Sequence, residues 1–148
     1  MADALKSTDL RVARLCAFWE SLSPATLSNL PAVYHPQIHF CDPFNNVHGS
    51  THLHALLERM FQRLHEPRFV VHEVALQRDG AVLMWDFHYR LRNWQPQRER
   101  SIHGLSHVRF GADGLVIEHR DYWDAATQVY AHVPLLGGVL RWLQTRLG

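Results

Sequence analysis

Several features that would mark particular classes of protein are missing from this sequence. The net formal charge is only +1, because 15 Lys and Arg are offset by 14 Asp and Glu, so no basic surface for nucleic acid is predicted. No apolar run is long enough to cross a bilayer, and the N-terminus has no apolar leader before a small-residue cleavage site. We therefore expect no transmembrane segment and a cytoplasmic protein.

Cysteine is scarce, and internal repeats and low-complexity segments do not occur. The two cysteines, Cys16 and Cys41, are far apart in sequence, which excludes a close-set zinc or redox motif and predicts reduced thiols. At 148 residues and 47% hydrophobic content, the chain is expected to form one domain, residues 1–148, with its own core.

Histidine is abundant, with 12 residues, but the spacing does not favour a metal site. His52 and His54 diverge on a predicted helix, while His103 and His107 share a strand face but lie too far apart to chelate one ion. We therefore predict neither a metal nor any other cofactor.

The N-terminal part of the chain reads as helical. Apolar residues at helical spacing predict an amphipathic helix over residues 9–22, capped by Asp9 or Thr8. Ser23-Pro24 predicts the start of a short helix that runs toward Val33 and is stopped by His35-Pro36.

A short strand and a second long helix follow. Ile38, Phe40 and Asp42 alternate with polar neighbours, which predicts a strand whose inward row ends in Asp42. Residues 42–49 are then expected to be a loop. The regular apolar stripe beyond Gly49 predicts a helix with Ser50 as its cap and Pro67 at its end.

From Arg68 to Asp124 the pattern changes to period two. Breaks at turn residues predict four antiparallel strands in a meander, over residues 68–78, 81–92, 98–110 and 115–124. If Asp79-Gly80 is a two-residue turn, a buried row forms from Leu76 opposite Leu83, Val74 opposite Trp85, His72 opposite Phe87 and Val70 opposite Tyr89.

The last hairpin carries the chemistry-bearing residues. His119, Asp121 and Trp123 share one face of the final strand, and an unpaired charge turned toward an apolar interior is costly. A four-residue loop would place Ser106 opposite His119 and Gly104 opposite Asp121, which leaves open space over the glycine. This face is therefore a candidate site.

The C-terminal segment predicts a short helix over residues 125–132 and a terminal apolar stripe over residues 136–147. The stripe could meet a membrane or the pocket mouth, but Arg141 and Arg146 contribute little electrostatic attraction to a membrane. Docking on the domain or on a partner subunit is therefore the favoured interpretation.

Three segments carry a family resemblance: Tyr34-His35-Pro36 through Cys41-Asp42-Pro43 to Gly49, the stretch from Gly104 to Phe110, and the stretch from His119 to Asp124. With them the chain resembles the SnoaL-like branch of the nuclear transport factor 2-like superfamily, which includes polyketide cyclases, ketosteroid isomerases and limonene epoxide hydrolases. The resemblance implies a cone-shaped α+β fold, with N-terminal helices packed on a curved antiparallel sheet and short C-terminal helices. It also implies an internal apolar pocket and a homodimer formed through the outer sheet face.

The resemblance assigns roles residue by residue. Asp42 matches the general base of the ketosteroid isomerases, but Phe18 and Ser106 stand where their two acidic hydrogen-bond donors would be, which disfavours steroid isomerisation. Asp121 matches the acid-base aspartate of the cyclases. His107 matches a cyclase histidine but points to the other face, so His119 is the predicted partner. Epoxide hydrolases of this scaffold need an inward arginine, and Arg90, Arg109 and Arg120 fall on the outer row.

Two functional hypotheses remain open. The first is acid-base chemistry on a small hydrophobic compound, such as isomerisation, cyclisation or hydration, with Asp121 moving a proton, His119 orienting or relaying it and Asp42 at a second edge. The pocket would be lined by Trp123, Trp85, Phe87, Tyr89, Phe18, Ser106 and Gly104. The second is a non-catalytic module that binds a lipid-like or polyketide-like molecule or a partner protein. Each polar residue also has a structural alternative: Asp121 holding His119, His119 as a neutral core residue, and Asp42 ordering the turn before Pro43.

Overall fold

A computed structural model of the protein describes residues 9–148. The elements in chain order are α1 (Leu10–Glu20), a 3-10 helix (Leu27–Ala32), β1 (Tyr34–Cys41), β2 (Asn46–His48), α2 (Ser50–Arg63), β3 (Leu64–Gln77), β4 (Gly80–Leu91), β5 (Arg100–Phe110), β6 (Val116–Trp123), α3 (Ala125–Gln128), a second 3-10 helix (Tyr130–His132) and α4 (Leu136–Leu147).

The six strands form one curved sheet in the order β2-β1-β6-β5-β4-β3. Neighbours pair antiparallel except β1 and β6, which run parallel. Helices α1 and α2 contribute buried apolar residues to the core that covers one face of the sheet. The predicted α+β architecture and its meander are therefore confirmed. The parallel pairing and strand β2, in a segment expected to be a loop, are additional.

The helix ends differ from the predictions at both ends of α2. Asp9 caps α1 as expected by accepting from the Arg11 amide, whereas Thr8, the alternative cap, lies outside the described residues. The N-cap of α2 is Gly49 at φ +91° and not Ser50, because glycine adopts this backbone conformation without strain. The helix ends at Arg63, and Pro67 lies inside β3 at a register break, where its missing N–H is tolerated.

The segment between α1 and β1 also differs. After Ser23-Pro24 the chain forms a turn, and the 3-10 helix begins only at Leu27. Tyr34, expected near the end of a helix, is already the first residue of β1. Its side chain is completely buried, so it lies in the core against the inner face of the sheet.

The pairing of β3 with β4 corrects the predicted register. Gln77 pairs with Gly80, so the turn residues are 78 and 79, and Val74 lies opposite Leu83. A bulge between Val71 and Glu73 then reverses which residues point inward. Val71 is buried, whereas Val70 and His72, expected in the buried row, are exposed.

The last hairpin is shifted by two residues from the prediction. Ser106 pairs with Asp121 and Gly104 with Trp123, so the predicted inner face is retained while the partners change. The space over Gly104 is filled, because a Cβ there would lie 2.6 Å from the Trp85 ring. The open space predicted opposite Asp121 at this glycine is therefore absent.

The outer face of the sheet is polar and rich in histidine. Asp86 accepts hydrogen bonds from His72 and His103, and His107 bonds to Gln77. Burial opposes ionisation of Asp86, but these two histidine bonds outweigh it and lower the pKa of the carboxyl. Pairing of this face with a second copy stays a prediction.

The C-terminal helix α4 packs on the second 3-10 helix. Its apolar residues Val139, Trp142 and Leu147 are exposed, so docking of its apolar stripe on the domain is not observed. In residues 9–148 no helix has both the length and the apolar character needed to span a membrane. Cys16 is buried, Cys41 is partly buried, and neither forms a disulfide.

Candidate active site

The centre of the candidate site is His119 on β6. Its ring is 2% exposed, and its Nε2 lies 2.8 Å from Oδ1 of Asp121. The two residues are two positions apart on one strand, so both side chains project from the same face. The Nδ1 of His119 lies 2.8 Å from the hydroxyl of Tyr34.

Tyr34 fixes the tautomer of the His119 imidazole. Burial, together with the negative charge of Asp121, raises the pKa of the Tyr34 hydroxyl well above 10, so the hydroxyl keeps its proton. The oxygen accepts from Trp19 Nε1 at 2.8 Å, so its own proton is directed to Nδ1 of His119. The proton of a neutral His119 is therefore on Nε2, facing Asp121.

A second set of donors reaches the same carboxylate from β4 and β5. Trp85 Nε1 donates to Ser106 Oγ at 2.8 Å, and Ser106 Oγ donates to Oδ1 of Asp121 at 2.5 Å. Oδ1 thus accepts from both His119 and Ser106. Oδ2 receives no hydrogen bond from any residue between 9 and 148.

Asp121 lies at the wall of a cavity of about 330 Å³ between α2 and the inner face of the sheet. The walls are mainly apolar, and the lining includes Trp19, Phe40, Phe44, Leu56, Met60, Phe69, Trp85, Phe87, Tyr89, Ile102 and Trp123. His119 and Ser106 lie behind this cavity, around a small void of about 10 Å³. A mainly apolar cavity of this size with a few polar groups in its wall is typical of a site for a small organic molecule.

Comparison with protein families identifies the chain. Residues 12–119 match the model of the SnoaL-like domain family. The chain belongs to this family. No curated protein matches this SnoaL-like protein.

Solved structures share the fold at low sequence identity. An LEH-like epoxide hydrolase of M. tuberculosis has a TM-score of 0.67 and 16% identity over 93% of this chain and 94% of that one. A candidate SnoaL-like polyketide cyclase from Shewanella putrefaciens CN-32 has a TM-score of 0.68 and 16% identity over 83% and 98%. A protein with a ketosteroid isomerase-like fold from Catenulispora acidiphila DSM 44928, solved with trimethylamine, has a TM-score of 0.69 and 12% identity over 84% and 92%. The nuclear transport factor 2-like fold predicted from the sequence is confirmed.

Asp42 of the SnoaL-like protein lies just beyond β1 and also lines the large cavity. Its Oδ1 accepts from the Phe44 and Asn45 amides at 2.7 Å each, and both carboxylate oxygens accept from Asn45 Nδ2 at 3.0 Å. These bonds match the turn-ordering role weighed above. Asp42 is therefore less available for chemistry than Asp121.

The structure does not bring three of the predicted pocket residues to the cavity: Phe18, Gly104 and Ser106, the last of which lies behind it at the small void. Phe18 is buried in the core, where it packs edge-on against Trp19 and Tyr34 at ring-centroid distances of 5.8 and 5.9 Å. The neighbouring Trp19 lines the cavity in its place. Gly104 lies under the Trp85 ring, so it holds that ring close to β5 and does not itself face the cavity.

Sequence reasoning missed Tyr34 and Trp19, which hold His119, and the arginines of α2. Tyr34 gave no signal because a helix was expected at that position. Arg59 and Arg63 are exposed and both line the cavity, whereas the sequence-based prediction concerned only Arg90, Arg109 and Arg120. Their spacing of four residues, in step with Leu56 and Met60, was the available signal.

No metal centre is formed by the described part of the chain, where no three His, Cys, Asp or Glu side chains are grouped to hold an ion. His107 lies on the outer face and away from Asp121. Arg109 is likewise outside, paired with Glu118 at 2.9 Å.

Proposed function

We propose that this SnoaL-like protein binds a small, mainly apolar molecule in the cavity and transfers a proton to or from it with Asp121. The observation that carries the proposal is the asymmetry of the carboxylate. Oδ1 is held by His119 and Ser106, whereas Oδ2 has no partner among residues 9–148 and the residue lines the cavity. A general base needs a fixed orientation and a free lone pair directed at its substrate.

The supporting residues have separable roles. His119 and Ser106 donate to Oδ1, so they orient the carboxylate and stabilise its charge between proton transfers. Tyr34 and Trp85 fix the donors in turn, since each supplies or directs a proton in the chain of bonds. The aromatic walls hold the reacting molecule and exclude water.

Isomerisation, cyclisation or hydration of an activated carbon compound fits this arrangement, because each requires proton transfer without a bound cofactor. The epoxide hydrolase and the candidate cyclase among the similar structures are proteins of the same fold. An Asp-Arg pair of the epoxide hydrolase kind is not formed by the described residues, since neither Arg59 nor Arg63 bonds to Asp42 or Asp121. Proton transfer by a single carboxylate is therefore the favoured chemistry.

The test uses 5-nitrobenzisoxazole, a flat apolar compound whose ring opens when a base removes its C–H proton, which changes its absorbance. We expect the wild-type protein to open it faster than an equal concentration of acetate, and Asp121→Asn to lose about 100-fold or more of that rate. The control is Asp113→Asn, which removes an exposed carboxylate in the β5–β6 loop. Circular dichroism checks that each variant is folded.

Equal rates for wild type and Asp121→Asn would refute the assignment. A wild-type rate no greater than that of acetate would also refute it. If the same compound bound to both proteins without reaction, the non-catalytic binding module would become the better reading of the cavity.

A further inference from the structure

Two cationic side chains line the cavity without a partner. Arg59 and Arg63 lie one helical turn apart on α2 and both contribute to the wall of the 330 Å³ cavity. No residue between 9 and 148 forms a hydrogen bond or ion pair with either guanidinium. Met60 and Leu56, on the same helix, also line the cavity. The apolar cavity therefore has a positive edge.

Four arginines elsewhere in the described chain have acidic partners, and one of them is Arg90, which lies 3.7 Å from Glu66. Arg68 pairs with Glu99 at 3.1 Å, and Arg109 pairs with Glu118 at 2.9 Å. Arg11 is held by Asp9 at 2.8 Å. Arg59 and Arg63 therefore differ from these four arginines, while Arg14 and Arg92 bond only to backbone carbonyls.

The acidic groups near this edge are already committed. Glu58 of α2 lies 3.6 Å from His54, and Glu66 lies 3.7 Å from Arg90. Of the two carboxylates that line the cavity, Asp42 is bonded to its own turn and Asp121 to His119 and Ser106. The positive charge of Arg59 and Arg63 is thus available to a ligand.

We propose that the natural ligand is an amphipathic organic anion, with an apolar body in the aromatic cavity and a carboxylate or similar anionic group at Arg59 and Arg63. Guanidinium groups bind anionic oxygens through strong charge-assisted hydrogen bonds. The inference names the ligand class for the proposed site and rests on the ligand-binding half of the proposed function. It does not depend on catalysis.

This arrangement also sets the orientation of the ligand. The anionic end is attracted to the arginines of α2 and repelled by the carboxylate of Asp121 on β6. Both forces favour the same orientation of the ligand. The uncharged part of the molecule is thereby presented to Oδ2 of Asp121. Arg59 and Arg63 are binding and positioning residues in this scheme.

The experiment is calorimetric titration with three probes that share one apolar body: octanoate, 1-octanol and octylammonium. We expect octanoate to bind about 10-fold or more tightly than 1-octanol at low ionic strength, with the advantage shrinking in high salt because the edge is exposed. Octylammonium should bind more weakly than octanoate. The double variant Arg59→Gln/Arg63→Gln should bind octanoate as weakly as it binds 1-octanol, with 1-octanol affinity unchanged.

The control is the double variant Arg68→Gln/Arg78→Gln, which removes the same net charge from residues that do not line the cavity. It should retain the preference for octanoate. Equal binding of octanoate and 1-octanol to the wild type, no measurable binding of octanoate, or the same loss in the control variant would each overturn the proposal.

The outcome can be separated from that of the elimination assay. Arginine-dependent binding of octanoate together with an unaltered elimination rate in Asp121→Asn would refute the catalytic role and support the ligand class. An Asp121-dependent rate with no preference among the octyl probes would refute the ligand class alone.

Discussion

Replacing Tyr34 by phenylalanine tests the chain of bonds behind the candidate base. The hydroxyl accepts from Trp19 Nε1 and donates to His119 Nδ1, both at 2.8 Å. Tyr34→Phe keeps the ring but leaves both of these nitrogens without a partner. Trp19 and His119 are 7% and 2% exposed, so water cannot readily replace the lost bonds.

The size of the effect follows from the cost of an unpaired buried polar group. Each such group costs about 1–3 kcal/mol, and the two nitrogens together predict a loss of about 2–6 kcal/mol in the free energy of unfolding. His119 cannot recover by moving its proton to Nδ1, because Nε2 would then no longer donate to Asp121. Tyr34→Phe should therefore also lower the elimination rate that depends on Asp121.

Urea denaturation at pH 8 measures this loss, with Tyr89→Phe as the matched control. Tyr89 is also buried and lines the cavity, but no described residue bonds to its hydroxyl, so we expect a change of less than about 0.5 kcal/mol. A loss in Tyr34→Phe as small as that in Tyr89→Phe would refute the reasoning.

The pH dependence supplies a second readout. Burial raises the pKa of Tyr34 well above its unfolded value near 10, so the stability that comes from the neutral hydroxyl is complete below pH 10. It declines as pH rises above 10 toward the folded pKa, because only the unfolded chain then ionises. The difference between wild type and Tyr34→Phe should accordingly be smaller at pH 10.5 than at pH 8, and a constant difference would contradict this account.

Two further predictions concern the sheet. Gly104→Ala should destabilise the fold by about 1–3 kcal/mol in urea, because its Cβ would meet the Trp85 ring at 2.6 Å. Gly138→Ala is the control and should be neutral or stabilising, because a Cβ added there would meet nothing within 4 Å. Equal urea midpoints for the two variants would contradict the prediction. Asp86→Asn should lower stability at pH 7, and this loss should shrink as the pH falls below 3.8, since burial opposes ionisation but hydrogen bonds from His103 and His72 outweigh it and lower the pKa of Asp86 from 3.8. The stability from its ionised form is present above that value and lost as pH falls through the folded pKa, so a destabilisation that persisted in acid would argue against it.

The sequence predicted which side chains share a face of a strand, but not which residues pair across neighbouring strands. Alternation predicted correctly that His119, Asp121 and Trp123 share the inner face of β6, because side-chain period is a local property of a strand. Register depends on turn geometry, and the two-residue shift changed the partner of Asp121 from Gly104 to Ser106. The serine is what supplies the second donor to Oδ1.

Bulges and long-range pairings account for the other differences. The irregularity between Val71 and Glu73 turned His72 outward, and no alternation pattern reveals where one extra residue is inserted. Tyr34 reaches His119 because β1 lies parallel beside β6, a contact between residues 85 positions apart. The arginines of α2 were visible in the sequence only as helix residues, since their relation to the cavity depends on how the helix packs.

The hydrogen bonds behind Asp121 all donate toward its carboxylate. Each chain of donors begins at an indole N–H, Trp19 on one side and Trp85 on the other, and an indole nitrogen has no lone pair to receive hydrogen. There is consequently no exit through the hydrogen-bonded residues for a proton captured at Oδ2, which must leave through the open space that Asp121 lines. In the proposed reaction, the proton that Asp121 accepts must therefore pass to the bound molecule or to solvent on the open side of the carboxylate.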